Sequence, residues 1–177
     1  MRPSLRLRRA VNLANFSTLA GLGTAIAGRA RIAPSVDGMV VATRYRLPVP
    51  PAPAFCLGNV ILTRKDDIVV GSPVFRHEAR HATQYAWCGG VAMVPLYLLA
   101  AGVSWVLTGD FGAGNVFERL AGLADGGYSE KPLRAGFRFR SGLVGVSGSG
   151  RTAAAAGRRP RGPASGVHAG SRASPSR

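Results

Sequence analysis

The hydrophobic and polar positions divide the chain into a helical start, a β-rich centre and a helical second half. Residues 5–30 predict one amphipathic helix, although the basic head and small apolar residues also resemble a signal peptide or an interfacial helix. Three short apolar runs then predict strands at Met39–Leu47, Asn59–Thr63 and Ile68–Val70. The polar stretch "RKDD" between the last two runs predicts the turn of a short β-hairpin.

Turn and capping residues bracket the first helix of the second half. Ser72 is a favourable N-cap, Pro73 suits the first helical turn, and Gly89-Gly90 predicts the end of the helix. A shorter helix, "NVFERLAGLADGG", ends at Gly126-Gly127. The chain is therefore predicted to be an α+β, mostly helical domain.

Between these two helices lies an uncharged stretch of seventeen residues, Val91–Leu107. Its length is at the short limit for a membrane span. A small domain also needs an apolar helix to cover its other elements, so a buried core helix is the simpler expectation. Membrane insertion of this segment stays open as the alternative.

Charge separates the chain into a domain and a tail. Lys131 to the C-terminus holds ten Lys/Arg and no acidic residue, whereas residues 1–130 hold thirteen Lys/Arg and eight acids. Residues 135–177 are rich in Gly, Ala, Ser and Arg, which predicts a disordered basic tail after a domain at 1–134. After Val146 the tail has no Phe, Tyr or Trp to interleave with its arginines, which argues against nucleic-acid binding and leaves weak membrane-surface contact open.

The two cysteines, Cys56 and Cys88, are too few for an iron–sulfur cluster and lack the CxxC spacing. Free thiols are typical of a reducing compartment, so the expected location is cytoplasmic, and membrane association is the alternative.

The stretch "FRHEARHATQYAW" carries the most specific chemistry in the chain. His77 and His81, four residues apart, share one helix face and can ligate one zinc ion. Glu78 lies beside the metal position, where a general base would take a proton from metal-bound water. His-Glu-x-x-His on a helix is the zincin pattern, and the competing interpretation is a pair of histidines hydrogen-bonded within the fold.

A catalytic zinc site needs a third protein ligand. Glu118 is the strongest candidate because it lies on a later helix, one turn before the small residue Ala121. Asn115 stands three residues before Glu118, so Glu118 could instead serve in a capping box. Asp110 is the fallback ligand, and His168 lies in the predicted tail.

Four further residues are candidates around that site. Asp125, two turns after Glu118, could accept a hydrogen bond from His77 or His81, and Gln84 could brace the site. The phenol of Tyr85 or Tyr128 could stabilise an oxyanion beside the metal, although each is more often a core aromatic residue.

Segments including "YRLPVPPAPAFCLGNVILTR", "RHEARHATQYAW" and "NVFERLAGLADGGY" resemble a group of short bacterial HExxH proteins from high-GC genomes. The resemblance covers about residues 11–130. The HExxHxxQ core followed by a Glu-x-x-Ala helix is also similar to a minimal gluzincin-type metallopeptidase domain. It implies zinc at His77, His81 and Glu118, with Glu78 as base and a peptide or protein as substrate. A non-catalytic metal-binding domain and a membrane-associated protein are the alternatives.

Overall fold

A computed structural model of the protein describes residues 2–134. Five α-helices and four β-strands follow one another in the order α1 (Pro3–Ala14), α2 (Ser17–Ala27), β1 (Arg31–Pro34), β2 (Val40–Thr43), β3 (Ala54–Leu57), β4 (Val60–Thr63), α3 (Pro73–Trp87), α4 (Met93–Thr108) and α5 (Val116–Ala121). About half of the described residues are helical and four short strands form a sheet, so the predicted α+β class is confirmed. The predicted tail, 135–177, and His168 lie outside the described residues.

The strands form one mixed sheet in the order β1-β2-β4-β3, in which β2 and β4 are parallel and the outer pairs are antiparallel. Strand β4 is central and buried along its whole length. Successive side chains of a strand point to opposite faces. Accordingly, Val60 and Leu62 pack with Ala25 of α2, whereas Ile61 packs with Phe75 and Ala82 of α3. The sheet therefore separates α2 from α3, and β4 anchors both.

Helix α2 lies unusually close to the sheet. A Cβ atom on Gly21 would stand 2.5 Å from the carbonyl oxygen of Leu57 and 2.9 Å from Cβ of Val60. Only glycine allows this approach without displacing backbone. The close contact fixes the N-terminal helices to the sheet that supports α3.

The prediction of one helix over 5–30 is wrong, because the chain bends by 70° between α1 and α2. Phe16 has a φ of +63° at the bend, and the Ser17 hydroxyl donates to Oδ1 of Asn15 at 2.7 Å. Asn and Ser side chains compete with the helix for backbone partners. These polar positions therefore end α1 and begin α2.

The hairpin also differs from its prediction. The strand predicted at 59–63 is present as β4, but its antiparallel partner is β3 and the turn lies at Gly58-Asn59. Residues 68–70 form no strand. Strand β1 was not predicted, and the strand predicted at 39–47 is limited to β2, Val40–Thr43. Gly58 has a φ of +60° and a Cβ there would meet the backbone of Ser17, so the turn requires glycine.

Helix α4 is not the buried core helix expected from its composition. The apolar segment Gly90–Thr108 has only 22% of its residues buried. Its buried positions in α4 are Met93, Ala101 and Ser104, which lie on one narrow face. Most other apolar side chains of α4 are exposed to solvent, and Ala100 and Leu107 are half-buried.

Candidate metal centre

Helix α3 holds the two motif histidines and follows its predicted boundaries closely. The Ser72 hydroxyl accepts a hydrogen bond from the Phe75 backbone N–H at 3.2 Å, Pro73 is the first helical residue, and the helix ends at Trp87. Phe75 and Ala82 turn toward the sheet, while His77 and His81 turn toward α5. The helix is therefore fixed on one side by apolar packing and presents its polar buried face to α5.

Three side chains converge between α3 and α5. His77 Nε2 lies 3.1 Å from His81 Nε2 and 3.0 Å from Glu118 Oε2, and His81 Nε2 lies 3.6 Å from Glu118 Oε1. All three residues are buried, and their ligand atoms lie within 4.8 Å of one another. A single metal ion could contact all three.

Hydrogen bonds on the far side of each imidazole ring orient both histidines. His77 Nδ1 lies 3.2 Å from the Ala121 carbonyl oxygen and 3.1 Å from that of Gly122. A carbonyl can only accept, so Nδ1 of His77 carries the proton. His77 therefore offers the lone pair of Nε2 to the centre in its neutral form.

The same logic fixes His81 through Gln84. The Gln84 amide Nε2 donates to the Phe117 carbonyl at 2.9 Å, which leaves its Oε1 as an acceptor 2.7 Å from His81 Nδ1. His81 Nδ1 is thus the donor, and Nε2 again carries a lone pair. The bracing role predicted for Gln84 agrees with these contacts.

Two imidazole lone pairs and a carboxylate consequently face one another across the centre. Such an all-acceptor arrangement is repulsive unless a cation or a proton lies between the atoms. Glu118 Oε2 has no hydrogen-bond partner among the described residues although it is buried, and unsatisfied buried oxygens are costly. The donor set therefore fits a metal ion.

In the metal-free protein, protons on these groups reduce the repulsion among the acceptor atoms of the centre. Burial alone would raise the pKa of Glu118, but the polar contacts of His77, His81 and Tyr97 outweigh it and hold that pKa at about 2. For His77, burial acts to lower the pKa, and the neighbouring Glu118 carboxylate raises it overall. Without a metal, the contact between the two groups therefore favours the protonated form of His77 and the ionised form of Glu118.

Glu118 is free to act as a ligand because its helix is capped by another residue. Asn115 Oδ1 accepts from the Phe117 backbone N–H at 3.0 Å, and the Asn115 backbone N–H donates to the Gly112 carbonyl. A capping box would instead need the Glu118 carboxylate on that Asn115 N–H. The capping-box alternative for Glu118 is therefore wrong.

Tyr97 is the contact that the sequence did not reveal. Its hydroxyl donates to Glu118 Oε1 at 2.5 Å, and its ring lies 6.2 Å from that of His81. Tyr97, Ser104 and Thr108 recur at helical spacing on the one polar side of an apolar helix. That pattern was the available signal for a residue directed at a polar centre.

Glu78 lies beside the centre and has no strong partner. It is buried, and its Oε2 makes no hydrogen bond within the described part of the chain. Burial raises the pKa of Glu78 to about 7, although the nearby His81 and His77 act in the opposite direction. The carboxyl group can therefore take up and release a proton near neutral pH.

Gly126 packs directly on the His77 ring, a second contact that the sequence did not reveal. A Cβ at Gly126 would stand 2.5 Å from His77 Cε1 and 2.7 Å from Nε2. Any side chain there would move the ring. The Gly126-Gly127 pair, expected only to end a helix, serves to close the centre, since α5 already ends at Ala121.

Of the two candidate tyrosines, only Tyr128 lies at the centre. The Tyr128 ring is 6.3 Å from the His77 ring, and its hydroxyl adjoins that of Tyr97. Tyr85 points toward the sheet side of α3, where burial, then Cys56 and Glu78, raise its pKa. No aromatic contact joins Tyr85 to either histidine in the described part of the chain, and its role beside the metal stays a prediction.

The two remaining acidic candidates have other partners. Asp125 accepts from Arg80 at 2.7 Å and from Arg76 at 3.2 Å, so its predicted hydrogen bond to a histidine is wrong. Two guanidinium groups are stronger donors to a carboxylate than a neutral imidazole is. Asp110 accepts from two backbone N–H groups in its own loop and pairs with Lys131, away from the cluster.

Both cysteines are free thiols, and neither belongs to the cluster.

Comparisons with family models, curated proteins and solved structures find no match for this chain. The function is therefore inferred from the geometry of the centre.

Proposed function

We propose that the protein is a zinc-dependent hydrolase, and that its substrate is a peptide bond. The observation that carries the proposal is the buried Glu78 carboxylate, with one unpartnered oxygen, next in sequence to a ligand of a three-residue metal cluster. Two histidines and one glutamate, with Glu78 as a separate acid, match the donor set of hydrolytic zinc sites. The arrangement of α3 and α5 supports the zincin-like interpretation.

The spacing of the donor atoms favours a small tetrahedral ion. Ligands about 2.0–2.1 Å from zinc in a tetrahedron stand roughly 3.3 Å from one another. The separations between the donor atoms, 3.0, 3.1 and 3.6 Å, bracket that value. Zinc bound here would lower the pKa of a bound water to about 7 and polarise a carbonyl group.

Four residues of the chain have roles in the proposed reaction. Glu78 accepts the proton of the attacking water and returns it to the leaving amine. His77 and His81 would hold the metal through Nε2, because carbonyl and amide oxygens accept from their Nδ1–H groups. The phenol of Tyr128, near the His77 ring, stabilises negative charge on the carbonyl oxygen.

The matched pair Glu78→Gln and Glu118→Gln tests this proposal in the full chain. We expect Glu78→Gln to keep one zinc per chain while peptide hydrolysis falls about 10²–10⁴-fold. Glu118→Gln should lose the zinc itself. Hydrolysis retained in Glu78→Gln would contradict the general-base role.

A non-catalytic metal centre is the second candidate function. It is favoured by the burial of all three ligands, since structural zinc sites are closed to substrate. For this function zinc would raise the stability of the fold, no peptide would be cleaved, and Glu78→Gln would behave as the parent protein.

A further inference from the structure

The outer surface of α4 is apolar, uncharged and exposed. No charged residue occurs between Cys88 and Gly109. We define the α4 apolar surface by its exposed side chains, which are Val94, Leu96, Leu98, Leu99, Val103, Trp105 and Val106. Phe111 extends it, since its ring stacks on Trp105 at 6.2 Å. Contiguous exposed patches of this kind mark interaction sites.

Two ordinary explanations of an apolar helix fail here. A core helix of a soluble domain is mostly buried, whereas only 22% of Gly90–Thr108 is buried. A signal sequence lies near the N-terminus, whereas this segment follows the sheet and α3. An exposed apolar helix with neither role is expected to be covered by lipid or by a protein partner.

We propose that the α4 apolar surface docks into the surface of an anionic lipid bilayer. Its breadth favours lipid over a protein partner. At 100° per residue, the exposed apolar positions occupy more than half of the helix perimeter, whereas a helix packed on a protein presents a stripe of roughly 100°. A second copy of the chain would leave much of this surface in water, and acyl chains would cover all of it.

Charge at the C-terminal end of the helix favours an anionic bilayer. The Arg134 guanidinium lies 5.2 Å over the Trp105 ring, and the Arg134 backbone N–H donates to the Leu107 carbonyl at 2.8 Å. From Lys131 onward the sequence adds ten basic residues and no acidic one. Basic clusters next to a membrane-active helix attract anionic headgroups, at about 1 kcal/mol for each Lys or Arg near the surface.

The helix lies in the interface and does not cross the bilayer. Its inner face, with Tyr97 and Ser104, contacts α5 and the loop at Asp110, so one side of the helix remains attached to the domain. Lipid cannot surround a helix whose inner side is held against a folded domain, so α4 lies along the membrane surface. This geometry places the metal centre within about one helix diameter, roughly 10 Å, of the lipid.

Substrate class follows only if the proposed hydrolase function also holds. In that case the centre, shared by α3, α4 and α5, would act on peptide segments presented at the membrane surface. The docking itself needs no metal and no activity, so the two proposals fail separately.

Vesicle flotation of the full chain tests the docking. We expect the protein to float with phosphatidylcholine vesicles that contain phosphatidylglycerol, and more weakly with phosphatidylcholine alone. The variant Leu98→Asp/Leu99→Asp alters residues that are 62% and 68% exposed and should lower vesicle binding about tenfold or more.

The matched control is Val69→Asp/Val70→Asp, in the loop before α3, where the side chains are 69% and 50% exposed. It adds the same charge away from α4 and should float like the parent. Far-UV circular dichroism and the thermal unfolding midpoint of every sample report whether the fold is intact. Loss of flotation with an unchanged unfolding midpoint identifies a docking defect alone.

Trp105 gives an independent readout in a Trp87→Phe background, where it is the single tryptophan. Vesicles should shift its emission to shorter wavelength, and brominated lipid should quench it. No flotation of the parent, or equal flotation of Leu98→Asp/Leu99→Asp, would overturn the proposal. A parent dimer that becomes monomeric in Leu98→Asp/Leu99→Asp without vesicle binding would identify a second copy as the occupant and overturn it too.

Discussion

Helices α3 and α4 have nearly the same length, 15 and 16 residues, but they distribute polarity in opposite ways. Helix α3 buries His77, Glu78 and His81 and exposes Arg76 and Arg80. Helix α4 directs its few polar side chains inward and exposes leucine, valine and tryptophan. Polar groups are buried where they have one another as partners, so composition alone does not decide which face of a helix is hidden.

Outside the three ligands themselves, the largest effect is expected from a substitution that displaces the buried polar face of α3. Gly126→Ala would press a methyl group against the His77 ring, which its carbonyl partners hold in place. We expect the folded state to lose about 1–3 kcal/mol. Zinc affinity should fall about 10–100-fold, measured by competition with a chelator.

Gly23→Ala is the matched control for that variant. A Cβ on Gly23, inside α2, has no atom within 4 Å. Alanine there should stabilise the protein by about 0.4–1 kcal/mol and leave zinc affinity unchanged. Equal effects of the two alanines would show that the contact of Gly126 with His77 is unimportant.

Removal of the metal should make stability depend on pH through the same cluster. The raised pKa of His77 contributes stability that is complete below its ordinary value of 6.5 and is lost as pH rises through the folded value. The lowered pKa of Glu118 contributes stability that is complete above 4.5 and is lost as pH falls toward about 2.

Thermal unfolding of the chelator-treated protein measures both limits. The midpoint should be highest near pH 4.5. It should fall by a few degrees toward pH 2, through Glu118, and again as pH rises through 7, where the raised pKa values of Glu78 and His77 act together. Glu118→Gln serves as the comparison, because it removes the carboxylate and should flatten the acid slope and reduce the neutral one. Unchanged slopes in Glu118→Gln would contradict the pairing of His77 with Glu118.

A smaller effect is expected where α4 meets the centre. Tyr97→Phe removes the hydroxyl that donates to Glu118 and keeps the ring. Zinc affinity should fall about tenfold, the lower end of the range for residues that orient ligands. Tyr97→Phe should also leave vesicle binding unaltered, because Tyr97 lies on the inner side of α4. A zinc affinity equal to that of the parent would show that α4 only covers the centre.

The smallest effect is expected at the ion pairs that Asp125 forms on the surface. Asp125→Asn alters a surface carboxylate that pairs with Arg76 and Arg80. Such exposed pairs contribute little to stability. The zinc affinity of Asp125→Asn should stay within about twofold of the parent's, which is about the error of the titration. A clear loss of zinc would restore Asp125 as an indirect support of the histidines.

Local signals were sufficient to predict α3 and its histidines. Ser72 and Gly89 mark boundaries through neighbouring backbone groups, and i, i+4 spacing alone puts His77 and His81 on one face. Glu118 was proposed from a second helix and a small residue beside it, and its position in the fold agrees.

The features that sequence did not reveal depend on distant partners. Strand β3 was missed because its pairing with β4 is decided by the turn at Gly58, which must fit against Ser17 of α2. Tyr97 looked like one residue of an apolar helix, since its partner Glu118 is 21 positions away. The exposed face of α4 could not be inferred either, because hydropathy does not tell whether protein or lipid covers a helix.

Metal content of the purified full chain, prepared with zinc and without chelator, tests the central claim most directly. We expect one zinc per chain in the parent and in Glu78→Gln, and loss of that zinc in both His77→Ala and Glu118→Gln. Absence of zinc from the parent, or full retention in Glu118→Gln, would contradict the three-ligand centre.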